Sequence, residues 1–374
     1  MGTFAIVTVD AGGNVPPALT IAAELARRGH TAHVLAHERL RERVTAAGLP
    51  FVELESLRDW TAVEPHGAVG MLRAYTRLAS SPAVEREVGE RLAGLGADAS
   101  LVDCLMAGCG RASRAAGVPD VVLFHTLLAY WLGGYARGPV GAVAGLRGTA
   151  PSRAWRAAAA RIVASDAALD PAARSGHEAS AFDWTGAVET GRPAERDPAR
   201  PPLVVASLSS TWLPGQSAAY QRIATALGAL PVRGLITLGG LELDRPLDLP
   251  SNVELVDRAD HGEVLSRTAV LIGHGGHSTT LRALAHDVPV VALPMHPFVD
   301  QPMVASAVEA AGAGIRLPKT ASADRIAGAV TRALTDEAMR AAAAGIGARI
   351  RSVDAAAAAC TLLERVAAAR ARAH

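Results

Sequence analysis

A chain of 374 residues with 50% hydrophobic and 20% charged side chains has a globular composition, with enough apolar mass for two cores rather than one. A formal net charge of +1, with no basic run carrying interleaved aromatics, gives no electrostatic footprint for nucleic acid. No stretch approaches the roughly 20 uninterrupted apolar residues of a membrane span, and MGTFAIVTVD carries no basic leader region, so a cytoplasmic protein is expected.

From the amino terminus, Phe4 to Val9 is an apolar run with β propensity. Pro17 to Arg28 follows with the helical stripe Ala18, Ile21, Ala22, Leu25, and Thr31 to Ala36 is a second strand. The turn Asp10 to Asn14 lacks G-x-G-x-x-G, which disfavours a nicotinamide or flavin cofactor. Alternation continues with a helix over Glu38 to Ala47 and a strand over Phe51 to Leu54. Helical stretches lie near 68–79 and 84–95, a strand over Ala99 to Val102 ends at Asp103, a helix covers Ala107 to Ala116, and a strand over Val121 to Phe124 ends at His125. Short buried strands between helices read as a parallel doubly wound α/β sheet. Gly133 to Gly148 is glycine-rich and reads as a loop forming a mobile wall, with Tyr130, Trp131 and Tyr135 near its start. Cys104, Cys109 and Cys360 have neither disulfide nor metal-ligand spacing, and no chemistry is assigned to them.

Residues 191–202 contain four prolines and alternating charges without apolar periodicity, the composition of a linker. After it the alternation restarts with Leu203 to Ser207, a turn containing Ser209, Ser210 and Thr211, a helix from about Gln216 to Leu227, and strands over Gly234 to Leu238 and Asn252 to Val256. Ser209 and Ser210 stand between a strand and a helix, where hydroxyls and amides reach a phosphate or ribose edge, or cap the helix. The chain is thus expected to hold two domains, residues 1–190 and 203–352, joined by a linker at 191–202, with a last helical stretch at 353–374.

The most informative stretch is Ala269 to Pro302. An apolar strand breaks at Gly273-His274-Gly275-Gly276 and resumes at Ser278 as a helix. Val290 to Leu293 is the next strand, and Pro294 opens a loop holding His296, Asp300 and Gln301. Glycines admit close approach, the first-turn amides point outward at the positive end of the helix dipole, and His274 adds a donor beside them, which suits a diphosphate.

The string His274-Gly275-Gly276, Thr279-Thr280, Val288-Pro289, Pro294, Asp300-Gln301 and Gly312-Ala313-Gly314 resembles the donor motif of glycosyltransferase family 1, enzymes of the antibiotic and natural-product type. The resemblance implies the GT-B fold, two Rossmann-like domains facing across a cleft, the first binding acceptor and the second a nucleotide sugar, with the last helix returning to the first domain. It assigns diphosphate contacts to His274, Gly276, His277, Ser278 and Thr279, sugar hydroxyls to Asp300 and Gln301, the donor cleft wall to Ser209 and Ser210, and base stacking to Arg258. Ser278 departs from the family, which has glycine there. A TDP- or UDP-linked sugar is the implied co-substrate, with TDP-deoxysugars favoured, no further cofactor, and an apolar, aromatic acceptor.

The first βα turn breaks the pattern. Family members carry Gly-His-Val-Asn-Pro, the histidine being general base, where this chain has Gly13-Asn14-Val15-Pro16-Pro17. An amide cannot take that proton at neutral pH. Asp103 matches the carboxylate that orients the family's histidine, so Asp103, His125 or another group replaces the base, or the acceptor needs little deprotonation, as in C-glycosylation. The expected reaction is inverting and, with no Asp-x-Asp pair for a divalent ion, metal-independent. The competing readings are a UDP-sugar 2-epimerase-like enzyme and a non-catalytic auxiliary partner of a glycosyltransferase. A homodimer is left open.

Overall fold

The computed structural model describes residues 1–62, 68–195, 197–209 and 211–372. The chain divides into two compact units, one formed by residues from Met1 to Val188 together with those from Asp354 onward, the other by Glu189–Val353.

The first unit holds seven parallel strands: β1 (Thr3–Val7), β2 (Thr31–Ala36), β3 (Phe51–Glu53), β4 (Ala99–Asp103), β5 (Asp120–Phe124), β6 (Ala160–Val163) and β7 (Asp183–Trp184), in the order β3-β2-β1-β4-β5-β6-β7. Strand alternation sorts its apolar residues onto two faces. Ala5, Val7, Val102, Val122 and Phe124 enter one core, and Phe4, Ile6, Leu101, Val121 and Leu123 the other. Both faces are covered, which is why these strands read as continuous apolar runs. The helix Ala355–Ala371 packs into the second of these cores through Ala359, Cys360 and Leu363. Arg28 and His30 both reach Glu364 on it, at 3.0 and 3.1 Å.

The second unit holds six parallel strands: β8 (Leu203–Ser207), β9 (Arg233–Thr237), β10 (Val253–Val256), β11 (Thr268–Gly273), β12 (Val290–Ala292) and β13 (Gly314–Arg316), in the order β10-β9-β8-β11-β12-β13. In each sheet the order in which strands are added reverses once, between β1 and β4 in the first and between β8 and β11 in the second. Those two switch points open at the carboxyl ends of the strands, where ligands of doubly wound sheets bind.

Three features differ from the sequence reading. Strands β6, β7 and β13 were not anticipated, being short segments without a distinct pattern. The expected loop at 133–148 is largely helical: a π-helical turn at Trp131–Tyr135 leads to a helix at Pro139–Leu146. Its glycines serve packing, since a Cβ on Gly138 or Gly141 would strike the carbonyl of Gly134 or Ala136. The proline-rich stretch expected as a linker is laid along the second unit. There Ala194 donates to the His286 carbonyl at 3.0 Å and Glu195 to that of Ser266 at 2.8 Å.

Candidate functional site

At the switch point of the second sheet, β11 ends at Gly273 and the helix His277–Ala285 begins after Gly276, its N-cap. Gly276 has no side chain to cap the first-turn amides, so these remain available to an outside acceptor. Glycine is required twice here. Gly275 has φ 78° with a Cβ position against the Gln301 carbonyl, and a Cβ on Gly276 would overlap the His274 imidazole. Burial pulls His274 down to about 4, the Ser207 backbone acting weakly the other way. His274 is therefore neutral near pH 7 and brings no positive charge to the turn, whose positive potential comes from the free amides and the helix dipole. Its Nδ1 is buried without a hydrogen-bond partner among the described residues.

Around this turn the structure places the other predicted residues. His277 is buried in the first turn, and Thr279 is half-buried on it. Asp300 is the N-cap residue of the helix Gln301–Ala310. Gln301 is buried, its Oε1 accepting from the amides of Met295 and His296 at 2.8 and 3.1 Å, so its side-chain carbonyl shapes its own loop. Ser209 follows β8 with φ 156°, unusual for a residue with a Cβ, and its Oγ accepts from the Thr211 amide at 2.9 Å. Ser210 lies outside the described residues. Arg258 follows β10, is exposed, and lies over Gly240 in the turn after β9.

Ser278 is not free to reach a ligand with its hydroxyl. It donates to Glu189 Oε1 at 2.5 Å, and the second carboxylate oxygen accepts from Arg282 Nε at 2.8 Å. The Glu189 side chain is 4% exposed. Sequence reasoning missed this pair because Glu189 lies 89 positions away, at the edge of a segment without pattern.

At the switch point of the first sheet, Asn14 follows β1 and Asp103 ends β4. Asn14 is 1% exposed. Its Nδ2 donates to Asp103 Oδ2 at 2.7 Å and to the Val9 carbonyl at 2.6 Å, and its Oδ1 accepts from the Ala11 amide at 3.1 Å. Asp103 Oδ1 accepts from the Leu105 amide at 2.9 Å. The register Asp103↔Leu123 sets β5 beside β4, so that His125, two residues on, brings its Nδ1 within 3.6 Å of Asp103 Oδ1. The His125 side chain is 12% exposed against 1% for Asp103, and it packs edge-on against Trp131. Cys104 is also here, its Sγ 3.7 Å from His125 Nδ1. Burial, reinforced by the neighbouring carboxylate, keeps the Cys104 thiol protonated. No chemistry had been assigned to Cys104; only the strand pairing brings it to a histidine.

Two parallel doubly wound sheets with polar groups gathered at each switch point define the GT-B class, and solved structures share the fold over the whole chain. A glycotransferase of kitacinnamycin superposes with a TM-score of 0.79 at 22% identity, covering 98% of this chain and 99% of that one. The glycosyltransferase VinC, solved in complex with DTDP, does so with a TM-score of 0.72 at 16% identity, covering 98% and 99%. Residues 222–361 match the family model described as the erythromycin biosynthesis protein CIII-like C-terminal domain. It is similar to the O-mycaminosyltylonolide 6-deoxyallosyltransferase of Streptomyces fradiae, with 32% identity over 175 residues, 46% of this chain and 40% of that protein. The chain thus spans well under half the length of this relative in matched sequence. Among the described residues no helix is long and apolar enough to cross a membrane.

Proposed function

We propose that the protein is an inverting glycosyltransferase that moves a sugar from a nucleoside diphosphate, TDP or UDP, to an apolar, aromatic natural-product acceptor. The observation that carries this reading is the uncapped helix start after β11, with His274 neutral beside it, inside the stretch matched by the family model. VinC was solved with DTDP, which favours a TDP-linked donor here.

In this reading the second unit, Glu189–Val353, binds the donor. The amides of His277, Ser278 and Thr279 and the His274 ring take the diphosphate, Gly276 leaves room for it, and Asp300 and the amide nitrogen of Gln301 take sugar hydroxyls. Ser209 lines the phosphate side, and Arg258 stacks on the base. Ser278 acts through its backbone, its hydroxyl being held by Glu189.

The first unit, through Val188 and with the C-terminal helix, binds the acceptor, and His125 is the base. Its Nδ1 lies 3.6 Å from Asp103 Oδ1, the carboxylate favours the positive charge that develops on the ring, and Nε2 takes the proton. Asn14 holds Asp103 in place and does no proton transfer. The acceptor oxygen, or an aromatic carbon, attacks the anomeric carbon as the bond to the diphosphate breaks on the opposite face. Configuration inverts, and the leaving charge is stabilised by the helix amides.

The test is calorimetry with TDP and UDP, followed by transfer assays with the corresponding sugars. Binding of a nucleoside diphosphate that His274→Ala abolishes supports the donor site. Undiminished binding by that variant refutes it, and donor turnover without an acceptor points to epimerase or hydrolase chemistry.

A further inference from the structure

We propose that Asp103, Cys104 and His125 form a zinc site whose occupation switches transfer off. The consequence for turnover rests on the reading of His125 as base; the metal site itself stands on geometry alone.

The three side chains come from the ends of adjacent strands β4 and β5. Their ligand atoms lie within 4.8 Å of one another, with His125 Nδ1 3.6 Å from Asp103 Oδ1 and 3.7 Å from Cys104 Sγ. A tetrahedral zinc ion with Zn–N and Zn–O of about 2.1 Å and Zn–S of about 2.3 Å separates nitrogen from oxygen by about 3.4 Å and nitrogen from sulfur by about 3.6 Å. The observed separations meet both within a few tenths of an ångström. A mixed thiolate, imidazole and carboxylate set suits zinc and excludes magnesium and calcium, which take oxygen ligands. Three protein ligands also leave one position open, as at zinc sites that bind water.

The surroundings are those of a prepared ligand set. Asp103 is held on Oδ2 by Asn14 and on Oδ1 by the Leu105 amide, outer contacts that keep a ligating carboxylate oriented. Binding would release the Cys104 proton to solvent and move the one imidazole proton to Nε2. With Nδ1 on the metal and Nε2 protonated, His125 has no lone pair for an acceptor proton, and Asp103 no longer serves it.

Cobalt(II) titration of the full chain reads the site directly. A single cobalt ion should bind with tetrahedral visible bands and a near-ultraviolet thiolate band, be displaced by zinc, and lose the thiolate band in both Cys104→Ser and Cys104→Ala. Zinc should inhibit transfer with one-to-one stoichiometry and a chelator should restore it. The zinc concentration for half-inhibition, taken against each variant's own metal-free rate, should rise more than tenfold in the Cys104 variants. Cobalt spectra without a thiolate band, or unchanged spectra in both variants, overturn the site. The spectra report whether or not the chain transfers sugar, whereas donor calorimetry addresses transfer without metal, so the two readings fail separately.

Discussion

Asn14 Nδ2 donates to Asp103 Oδ2 at 2.7 Å across the switch point of the first sheet. The amide gives Asp103 a neutral donor, which carries no exchangeable acid or base function, at a turn where the sequence resemblance implied a histidine. Asn14→Ala leaves a buried carboxylate short of one donor and should cost about 1–3 kcal/mol in urea unfolding. Asn14→Asp should be worse at neutral pH and recover on acidification. The added carboxylate is ionised in the unfolded chain above about pH 3.9 but held protonated beside Asp103, so stability falls as pH rises. A pH-independent Asn14→Asp defect would contradict the contact.

For transfer, His125→Ala should lower kcat by roughly a hundredfold to ten-thousandfold, the usual span for a lost general base. Asp103→Asn should lower it as well, and both should bind TDP with unchanged affinity by calorimetry. Full turnover by His125→Ala would move the base elsewhere.

His274 provides a pH signature of the second unit. Its imidazole titrates at about 6.5 unfolded and about 4 folded. Between these values the unfolded chain binds more protons, so this group makes stability rise with pH from 4 to 6.5, by roughly 3 kcal/mol in all. Other buried histidines, His37 and His286 among them, act in the same direction. His274→Ala should therefore reduce the slope of the urea midpoint against pH without abolishing it; an unaltered slope would show that the ring is not buried neutral.

Glu189 places a carboxylate against the same helix start that is proposed to hold a diphosphate, balanced by Arg282. Glu189→Gln keeps an acceptor for Ser278 and removes the charge. Stability should fall by about 1–3 kcal/mol as Arg282 loses its partner, while the TDP dissociation constant should tighten several-fold. A Kd weakened tenfold or more would mean that the carboxylate arranges the turn rather than opposing its ligand.

Metal independence is checked by transfer in excess chelator. The rate should match or exceed the untreated rate, the excess measuring any zinc carried through purification. Loss of activity that magnesium or manganese restores would end the metal-free mechanism.

The turn after β11 was legible because strand, glycines, helix and loop follow one another within about thirty residues, so local pattern carries the whole motif. Asp103 and His125 were legible as strand ends, though not as a pair. Their approach depends on the register of β4 with β5, which no short window encodes. Cys104 and Glu189 were not legible at all, the first because a buried thiol reads as a small apolar residue, the second because its partners lie 89 and 93 positions away. At 133–148 composition misled, since glycines that let helical turns pack closely look the same as glycines that loosen a loop.

The placement of the helix Ala355–Ala371 in the core of the first unit has a consequence for synthesis. During translation the second unit, contiguous from Glu189 to Val353, has all its parts once that stretch clears the ribosome. The unit whose synthesis starts first must wait with one core face uncovered until the helix bearing Cys360 and Leu363 arrives. That core face is therefore closed only by a segment made after the whole of the second unit.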